Sequence, residues 1–400
     1  MSTEHSLGEA AIHLLLHGVS VETRSGAPMT RMDLEPLTQI RAAGEPTLEI
    51  ALQPQWRLPI SARTSAETRT VLRLEGEGAA LLLDQEEWPV RVKPRPAFLA
   101  GQTPDGHPRT ALCRSFFGSL LFHPLHVEAE GAERRLVISP PGQSRVVPLS
   151  YDDVLDTVEA ALAAGEIDCV SLRWLQRLTP GELDLLICPL LQSIRRTFDV
   201  VIALDCPPPT AAVGIDMLYG HGADAINIPT LSLSAEALSD ESRPAPLSDT
   251  LEALERAAVV FPRGTALSSL LVGLDSPTDT LRAITRLAQI HVRATWDLRL
   301  LQESWQSMRR VWTQADLVNL WRVLEEEIVH AKLQRPWTPH PLAEAVEIPT
   351  AAFDADQAGE VIRTGSPRSR TAQALIRNLI RLRRRLRVRR AEQSFESSEL

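Results

Sequence analysis

Four cysteines, two lysines and 4 % aromatic residues are all that this 400-residue chain offers of those types. The cysteines, Cys113, Cys169, Cys188 and Cys206, fall at neither CxxC nor paired spacing. That excludes a disulfide framework and the zinc-ribbon classes, and points to reduced thiols in a cytoplasmic protein. No apolar run approaches the ~18 residues of a membrane-spanning helix. The opening stretch MSTEHSLGEAAIHLLLHGVSV lacks a basic leader, so no secretory signal is expected. GxSxG, Walker and GxGxxG motifs are all missing, which removes serine-hydrolase, P-loop and dinucleotide-binding readings. With only Lys93 and Lys332, the basic residues are nearly all arginine, a bias given no functional weight.

What is present is an uneven charge and a 44 % apolar composition, enough for a sizeable core. Net charge is −9, yet Arg363 to Arg390 holds eleven arginines and no acid, leaving −20 on the rest. An acidic body carries a basic tail.

The chain divides by texture. Residues 1–107 read as an irregular, partly β region with many prolines and a Pro-Asp-Gly turn at TPDG. Residues 108–300 alternate strand and helix. TALCRSF, IDCVSLRW, DVVIALDCP, ADAINIPT, TALSSLLVGL and HVRATWDL read as strands. The helices between them are capped by Ser150, Thr179 and Ser276, and Pro189 predicts a kink. Near-continuous apolar strands are buried on both faces, so the sheet is parallel. The fold class is therefore α/β: a partial (βα)6 TIM-like barrel, with an N-terminal partly β region and C-terminal helices. A doubly wound open sheet is the runner-up. Residues 301–345, with Trp305, Trp312, Trp321 and Trp337, read as a helical extension packing on the barrel. A linker is expected over 346–370 and a basic amphipathic helix over 371–390.

In such folds chemistry sits at the C-terminal ends of strands. PDGHPRTALCRSFFG, YGHGADAINIPT and, most of all, ERAAVVFPRGTALSSLLVGLDSPTDTLRAI resemble the radical S-adenosylmethionine superfamily over roughly residues 85–300. The resemblance implies a six-unit partial barrel, an iron–sulfur cluster held by three cysteines after the first strand, and adenosylmethionine beside the fifth. It places cofactor contacts at Cys113, Gly273 and Asp275. The departures are equally definite. After Cys113 the loop reads RSFFGSLLFHPLHVE, with no further cysteine, where C-x3-C-x2-C is expected. Leu172, Arg173, Trp174 and Leu175 stand where a Gly-Gly-Glu-like segment would meet the ligand, and Thr230 and Leu231 replace an acid. The expectation is a cluster-less, non-catalytic partner or scaffold, with no cofactor; the alternative is a radical-SAM-type or other small-molecule enzyme that keeps an S-adenosylmethionine or other ligand pocket, with an atypical or absent iron–sulfur site.

Cys113, His123 and His126 also form C-x9-H-x2-H, a zinc-type donor set at a spacing that matches no zinc class. Asp205, Asp275 and Asp297 fall near strand ends and serve either an acidic mouth or helix caps. In the tail, Leu375, Leu379, Leu382 and Leu386 form an apolar stripe beside Arg383, Arg384 and Arg385. It is read as a docking face for a protein, an intact radical SAM enzyme being one such partner. Nucleic acid is the second choice, because the acidic body repels phosphate.

Overall fold

The structure is a computed structural model and describes residues 10–11, 13–14, 19–22, 39–40, 46–53, 56–63, 70–75, 78–83, 86–116, 118–130, 133–140, 146–233, 245–296 and 312–334. The basic tail with its leucine stripe, the linker, Asp297, Trp305 and Trp337 lie outside the described residues.

The N-terminal strands close on themselves. They are β1 (Val19–Glu22), β2 (Gln39–Ile40), β3 (Pro46–Gln53), β4 (Trp56–Arg63), β5 (Thr70–Glu75), β6 (Gly78–Leu83) and β7 (Glu86–Lys93). Their order is β2-β3-β4-β1-β5-β6-β7, and β7 pairs back onto β3. Six strands thus form a ring, with β2 attached outside it. Leu48 and Ile50, Ile60 and Ala62, Val19 and Val21 alternate into one core, as a period of two requires. Closure leaves the ring no open edge. The region read as irregular and partly β thus holds a closed ring of strands. Its parallel pairings of β1 with β4 and β5 join residues that are distant in sequence, and no local pattern announces them.

The TPDG turn forms as read, with Gly106 at φ 81° and its N–H donating to Thr103 O. The next stretch differs from expectation. TALCRSF is a single helical turn, Arg109–Leu112, followed by strand β8 (Cys113–Phe116). β8 forms an antiparallel hairpin with β9 (Ser119–Phe122), turned at Gly118 with φ 78°. The first parallel strand is β9, not β8. A glycine between two short apolar runs was the available hairpin signal.

The remaining strands are β10 (Leu125–Glu130), β11 (Glu133–Ile138), β12 (Val147–Pro148), β13 (Cys169–Arg173), β14 (Val201–Asp205), β15 (Ala225–Asn227), β16 (Ala266–Leu270) and β17 (Arg293–Trp296). β10, β11 and β12 make a small antiparallel sheet. The large sheet runs β17-β16-β15-β14-β13-β9-β8, parallel from β9 to β17. Sequential order without reversal rules out the doubly wound alternative. Right-handed crossovers then put every helix on one face and curl the sheet into a half barrel. Val170, Leu172, Ile202, Leu204 and Ile226 face the helices in the main core. Cys169, Val201, Ala203, Ala225 and Leu267 form a separate cluster on the concave face.

The caps are where the sequence put them. Ser150 Oγ accepts from Asp153 N, Ser276 Oγ from Asp279 N, and Thr179 with Glu182 forms a capping box. Pro189 has no N–H to donate into the preceding turn, and the helix there is rewound as a π-turn, Leu183–Ile187, before continuing over Cys188–Thr197. The helix Gln314–His330 packs on Pro277–Gln289, with Thr285 Oγ1 donating to Glu327 Oε1 at 2.8 Å. Trp312 and Trp321 are buried. Trp312 Nε1 donates to Asp275 O, and Arg263 donates to Ala331 O at the opposite end.

Candidate functional site

The C-terminal ends of the parallel strands bring together residues that no motif links. Alternation puts Arg173, Asp205, Asn227, Ser269 and Thr295 on the concave face, on five adjacent strands. Arg173 Nε lies 3.2 Å from Asp205 Oδ2. Asn227 Nδ2 donates to Asp205 Oδ1 at 2.7 Å, and Ser269 Oγ donates to Asn227 Oδ1 at 3.1 Å. Thr295 is the register partner of Ser269. The result is a polar belt across the inside of the half barrel, with Asn227, Ser269 and Thr295 buried and Arg173 and Asp205 partly exposed. The signal was in the sequence: CVSLR, VIALD, AIN, ALSSL and RATW each carry a polar residue at or next to their C-terminal end. Reading the strands as buried on both faces hid it.

Above the belt the chain is tied down. Arg177 donates to the carbonyls of Pro208 and Pro209 and pairs with Asp249 at 2.9 Å, which joins the connections after β13 and β14. Leu231 sits at φ 65°, uncommon for a branched residue, and is held by Leu231 N to Ser269 O and Leu271 N to Leu231 O.

Residues expected from the sequence fall as follows. Cys113 is the register partner of Phe122 across the β8–β9 hairpin, His123 follows Phe122 with its N–H donating to Leu112 O, and both residues are buried. Each is turned to backbone: Cys113 Sγ donates to Arg109 O, and His123 Nε2 lies 3.2 Å from Thr110 O. A carbonyl only accepts, so that ring nitrogen carries the proton. His126 sits on β10 opposite Val137. Among the described residues no three His, Cys, Asp or Glu gather as a metal-binding group. Asp275 Oδ1 accepts from Ser232 Oγ at 2.8 Å, tying the end of β15 to the end of β16, and Gly273 takes φ 102° in the turn before it. Neither Asp205 nor Asp275 caps a helix; Ser276 does that work. Arg173 lies on the concave face as expected. Trp174, one residue on, turns to the helix side, where it is buried in the main core.

The thiols do not suit a cluster. Burial pushes the Cys113 thiol far up, against the opposing charge of Arg109. Burial also raises Cys206, with Asp205 adding to it, and raises Cys188 to about 12, with Asp184 adding to it. Cys169 opens β13, Cys206 follows β14 and Cys188 lies in a helix, so the four do not converge. A four-iron cluster with one open iron needs three thiolates on one loop or site. The residues present do not fit that group.

No protein-family model matches the chain, and no curated protein matches it. Solved structures do. One is methylornithine synthase (PylB), at TM-score 0.35 and 12 % identity over 46 % of this chain and 56 % of that one. Another is coproporphyrinogen III oxidase (HemN) from Escherichia coli, described as a radical SAM enzyme, at TM-score 0.28 and 17 % identity over 42 % of this chain and 40 % of that one. Each match spans less than two thirds of the other protein. Among the described residues no helix is long and apolar enough to cross a membrane.

Proposed function

We propose that this chain is a cluster-less relative of the radical S-adenosylmethionine enzymes, serving as a non-catalytic partner or scaffold in an enzyme complex. The six parallel strands and the helices after them, Gln314–His330 included, are read as a six-unit partial barrel. The observation that carries the reading is the connection after β9. The sequence resemblance places a cysteine-rich cluster loop after the first parallel strand. Here only His123 and Pro124 separate β9 from β10, and Leu125 pairs at once with Trp174. The chain at this point is spent on sheet, with no thiol in it. The partner contact is proposed for the tail, where Leu375, Leu379, Leu382 and Leu386 recur among arginines in the sequence and would suit an apolar groove with acidic rims.

The test is iron and sulfide content after anaerobic reconstitution. The protein is expected to stay colourless, without sulfur-to-iron charge-transfer absorbance. A brown protein holding about four irons per chain, which Cys113→Ala loses, overturns the proposal.

One observation favours a second reading, an enzyme that keeps a small-molecule pocket: the buried polar belt. Adenosylmethionine is not the ligand expected there, because Asp275 is engaged by Ser232 and Arg173 takes up space on the concave face. Calorimetry should find binding weaker than ~1 mM. Micromolar affinity would shift the balance to the enzyme.

A further inference from the structure

Four helices end in the same hydrogen-bonded turn. The residue after the cap takes a positive φ and donates to the carbonyl three positions back, and the next residue donates five positions back. After Tyr151–Ala163 and Val213–Gly220 the positive-φ residue is glycine, Gly165 at 66° and Gly222 at 124°. After Pro277–Gln289 and Gln314–His330 it is His291 at 63° and Lys332 at 54°. A side chain in the left-handed region is strained, and the strain exceeds what a surface cation gains at a helix C-terminus. Glycine would be the more stable choice at both positions. Strain held where the fold does not need it points to a function.

The two cationic ends meet. Arg263 Nε and Nη2 donate to Ala331 O at 2.9 and 2.6 Å, and Nη2 lies 3.3 Å from His291 Nδ1. Arg263, His291, His330 and Lys332 are all exposed. None of the four is in an ion pair among the described residues, whereas Lys93, the other lysine of the chain, pairs with Glu166. β16 and β17 begin here, so the patch lies at the end of the half barrel opposite the belt. Two large apolar side chains border it. Val259, 78 % exposed, is in the last turn of Leu247–Val260, and Val329, 58 % exposed, is in the last turn of Gln314–His330. Glu255 and Glu326 stand one turn before these valines, and Glu327 accepts from Thr285.

Cationic groups set between exposed valines suit an acidic protein segment that also carries apolar side chains. A phosphate backbone would leave the valines uncovered, and the acidic remainder of the chain opposes long polyanions and anionic bilayers. We propose that this end of the half barrel docks such a segment of a partner protein, with its carboxylates on Arg263, His291, His330 and Lys332 and its apolar side chains on Val259 and Val329. The site goes beyond the tail contact, and iron content, which tests the cluster-less reading, does not bear on it.

The experiment uses the full chain and a blocked peptide of Glu-Glu-Leu repeats at ~0.05 M salt. Hydrogen exchange localises the peptide, so binding by the arginines from Arg363 to Arg390 is read separately. Protection is expected over residues 259–264, 289–292 and 329–334. The double variant His291→Gly, Lys332→Gly should unfold no lower than wild type and up to ~4 °C above it, because the left-handed strain is relieved. Half-protection should need ~3–10 times more peptide in that variant. Val259→Ser should weaken protection ~2–5-fold. Arg282→Gln removes a charge in the first half of Pro277–Gln289, away from the patch, and should leave protection unchanged. Each of the following overturns the proposal: no protection of those residues by ~1 mM peptide; equal half-protection in wild type and either the double glycine variant or Val259→Ser; a loss in Arg282→Gln as large as in the double glycine variant; the double glycine variant unfolding below wild type, which makes His291 and Lys332 supports of the fold; or stronger protection of the patch by a DNA duplex or phosphatidylserine vesicles than by the peptide.

Discussion

Asp224→Ala should lower the free energy of unfolding by about 3–5 kcal/mol, because it strands a buried guanidinium. The side chains of Arg195 and Asp224 are 6 % and 4 % exposed and form a buried ion pair. Arg195 Nη1 also donates to Val200 O and Nη2 to Gly222 O, so one side chain joins a helix end, the start of β14 and the turn before β15. Asp224 Oδ2 accepts from Ile202 N as well, at 3.0 Å. Removing the carboxylate therefore leaves a charge and a backbone N–H unsatisfied in the same place. For a unit of this size the midpoint should fall by roughly 8–15 °C. Arg195→Met combined with Asp224→Ala should recover part of the loss, because the stranded charge is gone. A calorimetric loss for Asp224→Ala under ~1 kcal/mol would show that the pair contributes no more than a surface bridge.

The second large effect is expected at Gly264, which lies at φ 80° in the turn before β16. A Cβ there would stand 2.6 Å from Leu333 O and 2.7 Å from Gln334 O. Both atoms are backbone, so no side-chain rotation relieves the overlap. The segment after helix Gln314–His330 would have to lift off. That loosens the burial of Leu333, 1 % exposed, and the bonds from Arg263 to Ala331 O. Left-handed backbone strain in alanine adds about 1–2 kcal/mol, and losing a buried leucine adds about 1.5–3 kcal/mol. Gly264→Ala should thus cost about 3–5 kcal/mol in all, with faster amide exchange over residues 314–334. Gly165→Ala is the control. Gly165 has φ 66° and nothing within 4 Å of its would-be Cβ, so that variant bears the strain alone. Equal losses in the two variants would show that the contact with residues 333 and 334 adds nothing.

Much of the fold was legible because its cues are local. Ser150, Thr179 and Ser276 begin helices in the structure as their position before apolar-periodic runs predicts. Pro189 perturbs its helix, as a residue without an N–H must. The strand that was misplaced, TALCRSF, failed for a local reason too: periodicity over seven apolar-rich residues cannot separate one helical turn plus a short strand from one longer strand. The candidate site was less legible. Cys113, His123, His126, Gly273 and Asp275 were chosen by residue type and resemblance. The structure shows thiol, imidazole and carboxylate turned to the protein's own backbone and hydroxyl groups. The belt residues are ordinary types in ordinary strands, and nothing in any single strand says that they meet.

The sequence by itself determined the alternation of strand and helix, the helix boundaries set by caps and glycines, the uneven charge and the scarcity of thiols. These follow from backbone propensity, side-chain hydrogen bonds to the nearest turn, and composition, none of which reaches beyond a few residues. The tertiary structure alone decided that β7 returns to β3 to close a barrel, that strand order never reverses, and that Arg173, Asp205, Asn227, Ser269 and Thr295 share one face. Those outcomes depend on pairings between residues far apart in sequence, such as Glu49 with Lys93, Arg173 with Asp205 and Ser269 with Thr295. Register fixes them, because a slip of one residue would turn the whole belt into the helix-side core.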